Sequence, residues 1–267
     1  MTFRIDEALR AAADLVLPGQ CAGCGAAGAM LCEGCSAAFA AGALGPGGLA
    51  ASVVPDPVPR GLPPSTAWGR NDGTVAALVR AHKDDDRRDL TPVLADALAG
   101  AIGVAVRDSP PLRAALLRGD GPILAVPVPT SRRARRRRGD HPFAAVVRAA
   151  LAGMHAQEIT LAPALRWRRR VGDQRGLGGR ERAVNVEGAM GLDPGWAAVV
   201  AGAPCLVLDD VLTSGATLAE AARALRVAGS GPLAAATIAA TPRRSSSPHG
   251  LSAVSTAQSL SLSGSDD

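Results

Sequence analysis

The sequence has no tyrosine, a single lysine and an aromatic fraction of only 2% among its 267 residues. With so few aromatic side chains, platforms on which nucleic-acid bases stack are scarce. No stretch reaches the roughly 18 to 20 uninterrupted apolar residues of a membrane helix. The N-terminal stretch carries Asp6, Glu7 and Asp14 where a secretion signal would be basic and then apolar. We therefore expect a cytoplasmic protein without membrane insertion.

Composition predicts two unequal folded units. Hydrophobic residues make up 47% of the chain, enough for one main core and a smaller satellite. We expect an N-terminal helix and metal-binding module over residues 1–45, a linker over 46–66, an α/β domain over 67–242 and a disordered tail over 243–267. Within 41–64, the density of glycine and proline predicts no regular element.

Four of the five cysteines form two CxxC pairs, Cys21 with Cys24 and Cys32 with Cys35. In a reducing compartment, this spacing favours a metal site over disulfides. Two such pairs supply four thiolates, which is the ligand set of a closed, structural zinc site. A redox dithiol and an iron–sulfur cluster are the alternatives. Cys205 stands alone in an apolar run and is predicted to be a core residue.

The rest of the chain alternates between strand and helix patterns. GTVAALVRAHKDDDRRDLTPVLADALAGAIG has apolar residues at helical spacing with a charged break, and predicts two helices joined around Lys83 to Arg88. Farther on, PILAVPVP and PCLVLDD are apolar runs that are each followed by a turn and a helical pattern, and ITLAPALRW and PLAAATIAA supply further strands. This alternation predicts a parallel sheet with helices on both faces.

The segment Cys205 to Leu218, CLVLDDVLTSGATL, combines an apolar strand, two acids and a small-residue turn. We expect LVLD to be the strand and TSGATL to open a helix, whose first amides lack internal partners and can wrap a phosphate. The residues of this phosphate-binding loop are Thr213, Ser214, Gly215, Ala216 and Thr217. Asp209 and Asp210 would accept hydrogen bonds from two ribose hydroxyls or lie beside a magnesium ion. The alternative is an ordinary strand, a turn and a capped helix.

A second loop, AVPVPTSRRARRRRGDHPF, follows the other strong strand and is rich in arginine. Two loops at neighbouring strand ends would bracket a ligand with phosphates at both ends, such as phosphoribosyl pyrophosphate (PRPP). We expect Pro129, Ser131 and Arg132 to meet the pyrophosphate. Arg135 to Arg138 form either a solvated helix face or a contact for nucleic-acid phosphates.

The segment Arg168 to Met190 is charged, contains glycine and falls between two predicted strands. As a lid this segment would close over the ligand, with contacts from Gln174, Arg182 and Asn185. Closure would exclude water, which matters because PRPP chemistry passes through an oxocarbenium-like sugar that water would capture. An ordinary surface connection is the alternative.

DDVLTSGAT, from Asp209 to Thr217, resembles the PRPP loop of type I phosphoribosyltransferases, in which two acids precede a Thr/Ser-Gly-x-Thr turn. Over residues 15–242 the chain resembles the ComF family of ComFC-like and GntX-like proteins. The motifs that carry this resemblance are, in order, the CxxC pairs, Lys83, VPVPTSRR, the Q-x-G-L…R-x-x-N segment and this loop. The resemblance implies a type I phosphoribosyltransferase-like fold with an N-terminal zinc ribbon. The family usually reads LKYRGR around the lysine, where this chain has AHKDDDRR, and R-G-F-N-Q where it has Arg138 to Pro142.

The resemblance implies binding of PRPP or a related ribose 5-phosphate with magnesium, through the two loops, Lys83, Arg182 and Asn185. It also implies phosphoribosyl transfer with release of pyrophosphate, in which Asp209 and Asp210 are the catalytic residues, and an association with DNA uptake in natural transformation. Nothing here resembles a glutaminase half. The alternative function is a non-catalytic adaptor that handles single-stranded DNA, uses the pocket for regulation and docks a helicase-like partner through the zinc module. A sensor of nucleotide state is a third possibility.

Overall fold

The protein is described here by a computed structural model that covers residues 19–130, 142–154, 158–169 and 186–241. The first 18 residues, in which the predicted N-terminal helix falls, and the predicted tail lie outside the described residues. The strands within them are β1 (Ala51–Val53), β2 (Ser65–Arg70), β3 (Ile123–Pro127), β4 (Ile159–Leu161), β5 (Leu165–Trp167), β6 (Met190–Leu192), β7 (Cys205–Leu212) and β8 (Leu233–Ala240).

The described residues also contain short 3-10 turns at Pro46–Gly48, Arg88–Leu90 and Pro194–Trp196. The α-helices are α1 (Glu33–Ala41), α2 (Gly73–Asp84), α3 (Thr91–Arg107), α4 (Pro110–Arg118), α5 (Pro142–Ala152), α6 (Ala197–Val200) and α7 (Ala216–Val227).

Six strands form one sheet in the order β1-β2-β8-β7-β3-β4. All neighbours in it are parallel except β1, which pairs with β2 in the antiparallel direction. The prediction of an α/β protein with a mostly parallel sheet is therefore confirmed. β3 and β7 lie side by side, with Pro127 opposite Leu208, so the loops after these two strands leave the same edge of the sheet.

Helices cover both faces of the sheet, as predicted. On one face α2, α3 and α5 pack against Leu206, Leu208 and Ile238. On the other face α7 packs against Val207 and Leu124, together with a separate two-stranded antiparallel ribbon of β5 and β6. Because successive side chains of a strand point to opposite faces, β7 and its neighbours contribute to both cores and read as continuous apolar runs.

The stretch Arg88–Arg107 has 20 residues and contains an 18-residue window of mean hydropathy 1.5, so by length and composition alone it is apolar enough to cross a bilayer. Half of this window is buried inside the protein. Leu94, Leu98 and Ile102 recur at helical spacing and belong to the core between α3 and the sheet. Such burial is typical of the core helix of a folded domain.

The prediction of two helices joined around Lys83 to Arg88 is confirmed, because α2 ends at Asp84 and α3 starts at Thr91. The next helix, α4, opens at Pro110 within the sequence DSPPL. Proline is well suited to the first position of a helix, because the amide it lacks would have no partner there.

The prediction that 41–64 holds no regular element is wrong at β1. Residues 51–53 pair with β2, so Val53 lies opposite Ser65 and is buried in the core beside α7. The glycines and prolines on either side limit this edge strand to three residues but do not prevent it, because pairing with β2 supplies the hydrogen bonds.

ITLAPALRW supplies strand structure, as predicted, in the form of two strands that belong to different sheets. β4 is an edge of the main sheet, and β5 pairs with β6. Pro163 separates them, and the amide of Ala164 donates to the carbonyl of Ala162 at 2.7 Å in a tight turn. The segment Arg168 to Met190 does fall between two strands, as predicted, since β5 ends at Trp167 and β6 begins at Met190.

Candidate functional site

The four clustered cysteines form a group that can hold a metal ion. The Sγ atoms of Cys21, Cys24, Cys32 and Cys35 all lie within 4.8 Å of one another. Zn–S bonds of about 2.3 Å place the sulfurs of a tetrahedral site about 3.8 Å apart, and Cys24 Sγ lies 3.7 Å from Cys32 Sγ. The spacing therefore fits zinc, as the sequence predicted.

The local backbone supports this arrangement of sulfurs. A Cβ on Gly23 would lie 2.6 Å from Cys35 Sγ, so the first CxxC turn can approach Cys35 only with glycine at this position. The amide of Cys32 donates to Cys21 Sγ at 3.3 Å, and chiefly for that reason the pKa of Cys21 is lowered to about 6. A thiolate is the form of cysteine that binds metals.

The two remaining shifted cysteines both have raised pKa values. The pKa of Cys35 is raised to about 12, first through its hydrogen bond with the Cys32 side chain. Cys205 is fully buried in β7, and burial raises its pKa to about 12. It donates to the carbonyl of Ala203 at 3.4 Å and is a core residue, as predicted.

Asp209 and Asp210 lie inside β7, because this strand continues through Leu212 and remains paired with β8. The expectation that the strand ends with LVLD and that a helix opens at Thr213 is therefore wrong. Helix α7 begins at Ala216. Pairing with β8 on the interior of the sheet extends the strand past the two acids, an effect that local sequence does not reveal.

The structure brings Lys83 to Asp210. Lys83 Nζ lies 2.5 Å from Asp210 Oδ2, and the two side chains are 48% and 16% exposed. The nearby charge of Asp210 is the largest cause of the raised pKa of Lys83. Both residues were predicted to belong to the site, but the sequence does not indicate that they touch, because 127 positions separate them.

Asp209 has a different environment from that of its neighbour. It is partly buried, and its Oδ1 accepts a hydrogen bond from the amide of Asp210 at 2.9 Å. Burial and then the charge of Asp210 raise the pKa of Asp209 to about 7, although Lys83 opposes this shift. A carboxylate of this kind is stabilised by a cation or by hydroxyl donors of a ligand.

The loop after β7 presents unpaired amides at the start of α7. Among the residues that the structure describes, no backbone carbonyl accepts from the amides of Thr213 to Thr217. Thr213 is exposed, and Ser214 and Thr217 are partly buried. Gly215 adopts the left-handed conformation with φ 74°, which turns the chain from the strand into the helix. The predicted loop residues thus keep donors for an anion.

A segment that sequence reasoning treated as linker covers part of this loop. A Cβ on Gly215 would lie 3.1 to 3.2 Å from carbons of Pro55, Pro59 and Leu62. Gly215 and Ala216 are buried beneath this segment, so the accessible part of the loop is on the side of Thr213. Spacing within the sequence gives no sign of this contact.

The other loop begins beside the two acids. The amide of Val128 donates to the carbonyl of Leu208 at 2.8 Å, so β3 and β7 stay hydrogen-bonded up to the residue before Asp209. The carbonyl of Pro129 accepts from Trp167 Nε1 at 2.7 Å. Trp167 was not among the predicted site residues. The signal that could have pointed to it is its residue type, since it is one of only three tryptophans and a buried indole N–H needs an acceptor.

Several predicted site residues cannot be placed. Ser131, Arg132, Gln174, Arg182, Asn185 and the run Arg135 to Arg138 lie outside the described residues.

What the described structure brings together is Lys83, Asp209, Asp210 and the Thr213 to Thr217 loop, with Pro129 at the neighbouring strand end. The arrangement offers carboxylates, an ammonium group and main-chain amides along one edge of a parallel sheet, where ligands bind in open α/β sheets. A scan against models of protein families found no matching family. A search of curated proteins found no match either.

Proposed function

We propose that this edge of the sheet binds a ribose 5-phosphate, with PRPP as the best-fitting member of that class. The fold that we propose within the α/β class is that of the type I phosphoribosyltransferases, in a protein of the ComF type. The observation that carries the proposal is the position of Asp209 and Asp210 near the end of β7, just ahead of a loop whose amides have no backbone carbonyl partner among the described residues.

Each part of the ligand has a matching group. The accessible side of the loop, with the amides and hydroxyls of Thr213 and Ser214 and the hydroxyl of Thr217, would bind the 5-phosphate. The positive end of the α7 dipole lies behind it. Asp209 and Asp210 would accept from the two ribose hydroxyls. Lys83 compensates the negative charge of Asp210, which lowers the repulsion between the two acids and a phosphorylated ligand.

Pyrophosphate would lie toward the loop after β3, which starts at Val128 beside Asp209. Carboxylate oxygens and ligand hydroxyls are the donors that magnesium prefers, and the ion would supply charge neutralisation for the pyrophosphate. The four cysteines take no part in this proposed chemistry. We propose that it holds a structural zinc ion.

The reaction that we propose is substitution at the anomeric carbon. The bond from that carbon to a pyrophosphate oxygen breaks, and a bond to a nitrogen or phosphate-oxygen nucleophile forms. The electron pair leaves with pyrophosphate, and a nitrogen nucleophile loses its proton to solvent or to a carboxylate. The two acids would stabilise the positive charge that develops on the sugar, so catalysis comes from positioning and electrostatics.

Calorimetric titration with PRPP and magnesium tests the proposal. We expect wild-type protein to bind and the double variant Asp209→Asn, Asp210→Asn to lose binding while keeping its circular dichroism spectrum. Asp120→Asn is the matched control, because it removes a carboxylate outside the proposed site, an exposed one that pairs with Arg118 at 2.7 Å after α4. Equal affinity of wild type and the double variant would contradict the proposal.

A screen for pyrophosphate release from PRPP with single nucleobases tests the catalytic part. Release that the double variant lacks would support transfer. Binding of single-stranded DNA without binding of PRPP would instead favour the adaptor function.

A further inference from the structure

Arg87, in the turn between α2 and α3, contacts the cysteine module through two backbone carbonyls. Its Nη1 donates to the carbonyl of Gln20 at 2.7 Å, and its Nη2 donates to that of Met30 at 3.2 Å. Gln20 immediately precedes Cys21, and the carbonyl of Met30 also accepts from the amide of Ala22 at 3.0 Å. The guanidinium therefore binds the backbone that frames the metal-compatible cluster.

The same guanidinium is fixed to its own turn. Nε and Nη2 donate to the carboxylate of Asp89 at 3.0 and 2.7 Å, in the bidentate geometry that makes such pairs strong and directional. The amides of Asp85 and Arg87 both donate to the carbonyl of Ala81, at 3.0 and 3.2 Å. These bonds connect the turn to the last turn of α2, which carries Lys83.

We propose that Arg87 is a positioning residue that links the metal-loaded cysteine module to Lys83 and, through it, to Asp210. Metal held by the cysteines would fix the carbonyls of Gln20 and Met30, and these would hold Arg87 and the turn. Without the metal, Arg87 loses two ordered acceptors, and the Lys83 ammonium is held less firmly at the edge of the sheet. The effect on ligand affinity rests on the proposed function, but the link itself does not.

The cysteine module also contacts the rest of the protein through an apolar stack that does not involve Arg87. Phe39 of α1 stacks on Trp68 of β2 with ring centroids 4.4 Å apart. Phe39 is buried in the core that α2 and α3 share. Loss of Arg87 should therefore leave the module attached, and only the polar connection to the turn is removed.

Lys83 is the only lysine in the chain, so protein that incorporates lysine labelled with ¹⁵N at Nζ gives a single side-chain nitrogen NMR signal. We would record this signal with zinc bound and after chelation, in wild type, Arg87→Ala and the control Arg118→Ala. Arg118 pairs with Asp120 at the same two-residue spacing at the end of α4, where its Nε and Nη2 both donate to Asp120 Oδ2, at 3.0 and 2.7 Å. We expect chelation to shift or broaden the signal in wild type and in the control, but not in Arg87→Ala.

Zinc affinity, measured by competition with a chromophoric chelator, gives a second readout that needs no metal-free folded protein. We expect Arg87→Ala to bind zinc about tenfold more weakly, the size expected for a lost charge-assisted hydrogen bond. Asp89→Asn, which keeps the guanidinium and its two carbonyl acceptors, should show a smaller loss.

Three results would overturn the proposal: a Lys83 signal in wild type that is insensitive to zinc, an equal response in Arg87→Ala, or unchanged zinc affinity in that variant. Because coupling between sites is reciprocal, a ligand bound at Asp209 and Asp210 should also tighten zinc binding in wild type. A zinc-sensitive Lys83 signal that requires Arg87, in protein that never binds PRPP, would support this link and reject the proposed function.

Discussion

Asp209 and Asp210 are neighbours in one strand, yet their side chains have different electrostatic partners. Asp210 pairs with Lys83, whereas Asp209 accepts only from the amide of Asp210 among the contacts described, and its pKa is raised to about 7. A partly buried carboxylate that is left without a cation of its own costs folding free energy. Such costs cluster at ligand sites, where a ligand or metal completes the arrangement.

Asp209→Asn should therefore stabilise the free protein in a pH-dependent way. The carboxyl loses its proton near pH 3.8 in the unfolded chain and near pH 7 in the folded protein. Between these values the folded state holds a proton that the unfolded state lacks, so wild-type stability falls as pH rises through this window. Asparagine does not titrate, and its oxygen can still accept the amide bond.

Urea unfolding in magnesium-free buffer at about pH 5 and about pH 8 checks this expectation. The stability advantage of Asp209→Asn over wild type should be larger at the higher pH. In Asp120→Asn, where an exposed carboxylate is changed, the difference from wild type should stay nearly constant. An advantage that shrinks as pH rises would show that the carboxyl of Asp209 is not destabilised by the fold.

At the scale of elements, the loop between β7 and α7 is shaped by a segment from far earlier in the chain. Pro55, Pro59 and Leu62 cover Gly215, and Arg226 near the end of α7 donates to the carbonyl of Gly61 at 2.7 Å. The covering segment thus follows α7 along much of its length. It fixes where the helix starts and which amides of the loop remain accessible.

Gly215→Ala should destabilise the protein more than Gly229→Ala. Both glycines have left-handed φ values, 74° and 79°, so alanine costs about 1 to 2 kcal/mol at either position. Only at Gly215 would the new methyl group press on neighbours, at 3.1 to 3.2 Å, while nothing lies within 4 Å at Gly229. Overpacking adds about 1 to 3 kcal/mol.

The free energy of unfolding of both variants, measured with urea, tests how tightly residues 55–62 pack against the loop at Gly215. Equal losses in the two variants would mean that residues 55–62 move away from the loop at little cost.

At the scale of the whole molecule, the cysteine module and the sheet share one core. Phe39 of α1 belongs to the cluster that contains Leu98 of α3 and Leu206 of β7. The amide of Leu44 donates to the carbonyl of Trp68 at 2.8 Å, so the chain after the module also adds to the edge of the sheet. The module and the domain should therefore unfold together.

Phe39→Ala should lower the free energy of unfolding by about 3 to 5 kcal/mol, because it removes a buried aromatic ring and its stacking contact with Trp68. The surface variant Leu117→Ala, at a side chain that is 88% exposed, should change it by less than about 0.5 kcal/mol. Far-ultraviolet circular dichroism and tryptophan fluorescence should give coincident transitions in zinc-loaded wild type. Separate transitions would show that the module unfolds independently.

Much of the site was predictable because its signals are local. The two CxxC pairs specify a four-thiolate cluster through spacing alone, and the apolar run before the two acids specifies a buried parallel strand. The alternation of strands and helices fixed the α/β class. Boundaries were less accurate, since β7 runs past Asp210 and α7 starts three residues later than expected.

By itself the sequence determined the α/β class and most of its strands and helices, where the thiolates cluster and which loop follows the acidic pair, because these depend on periodicity and on residues close together in the chain. Only the tertiary structure decided that Lys83 meets Asp210, that Arg87 holds the carbonyls of Gln20 and Met30, and that Pro55 covers Gly215. These contacts depend on the order of strands in the sheet and on how α2 and the 55–62 segment pack across it. No local pattern encodes that packing, since it is set by burial of the whole core.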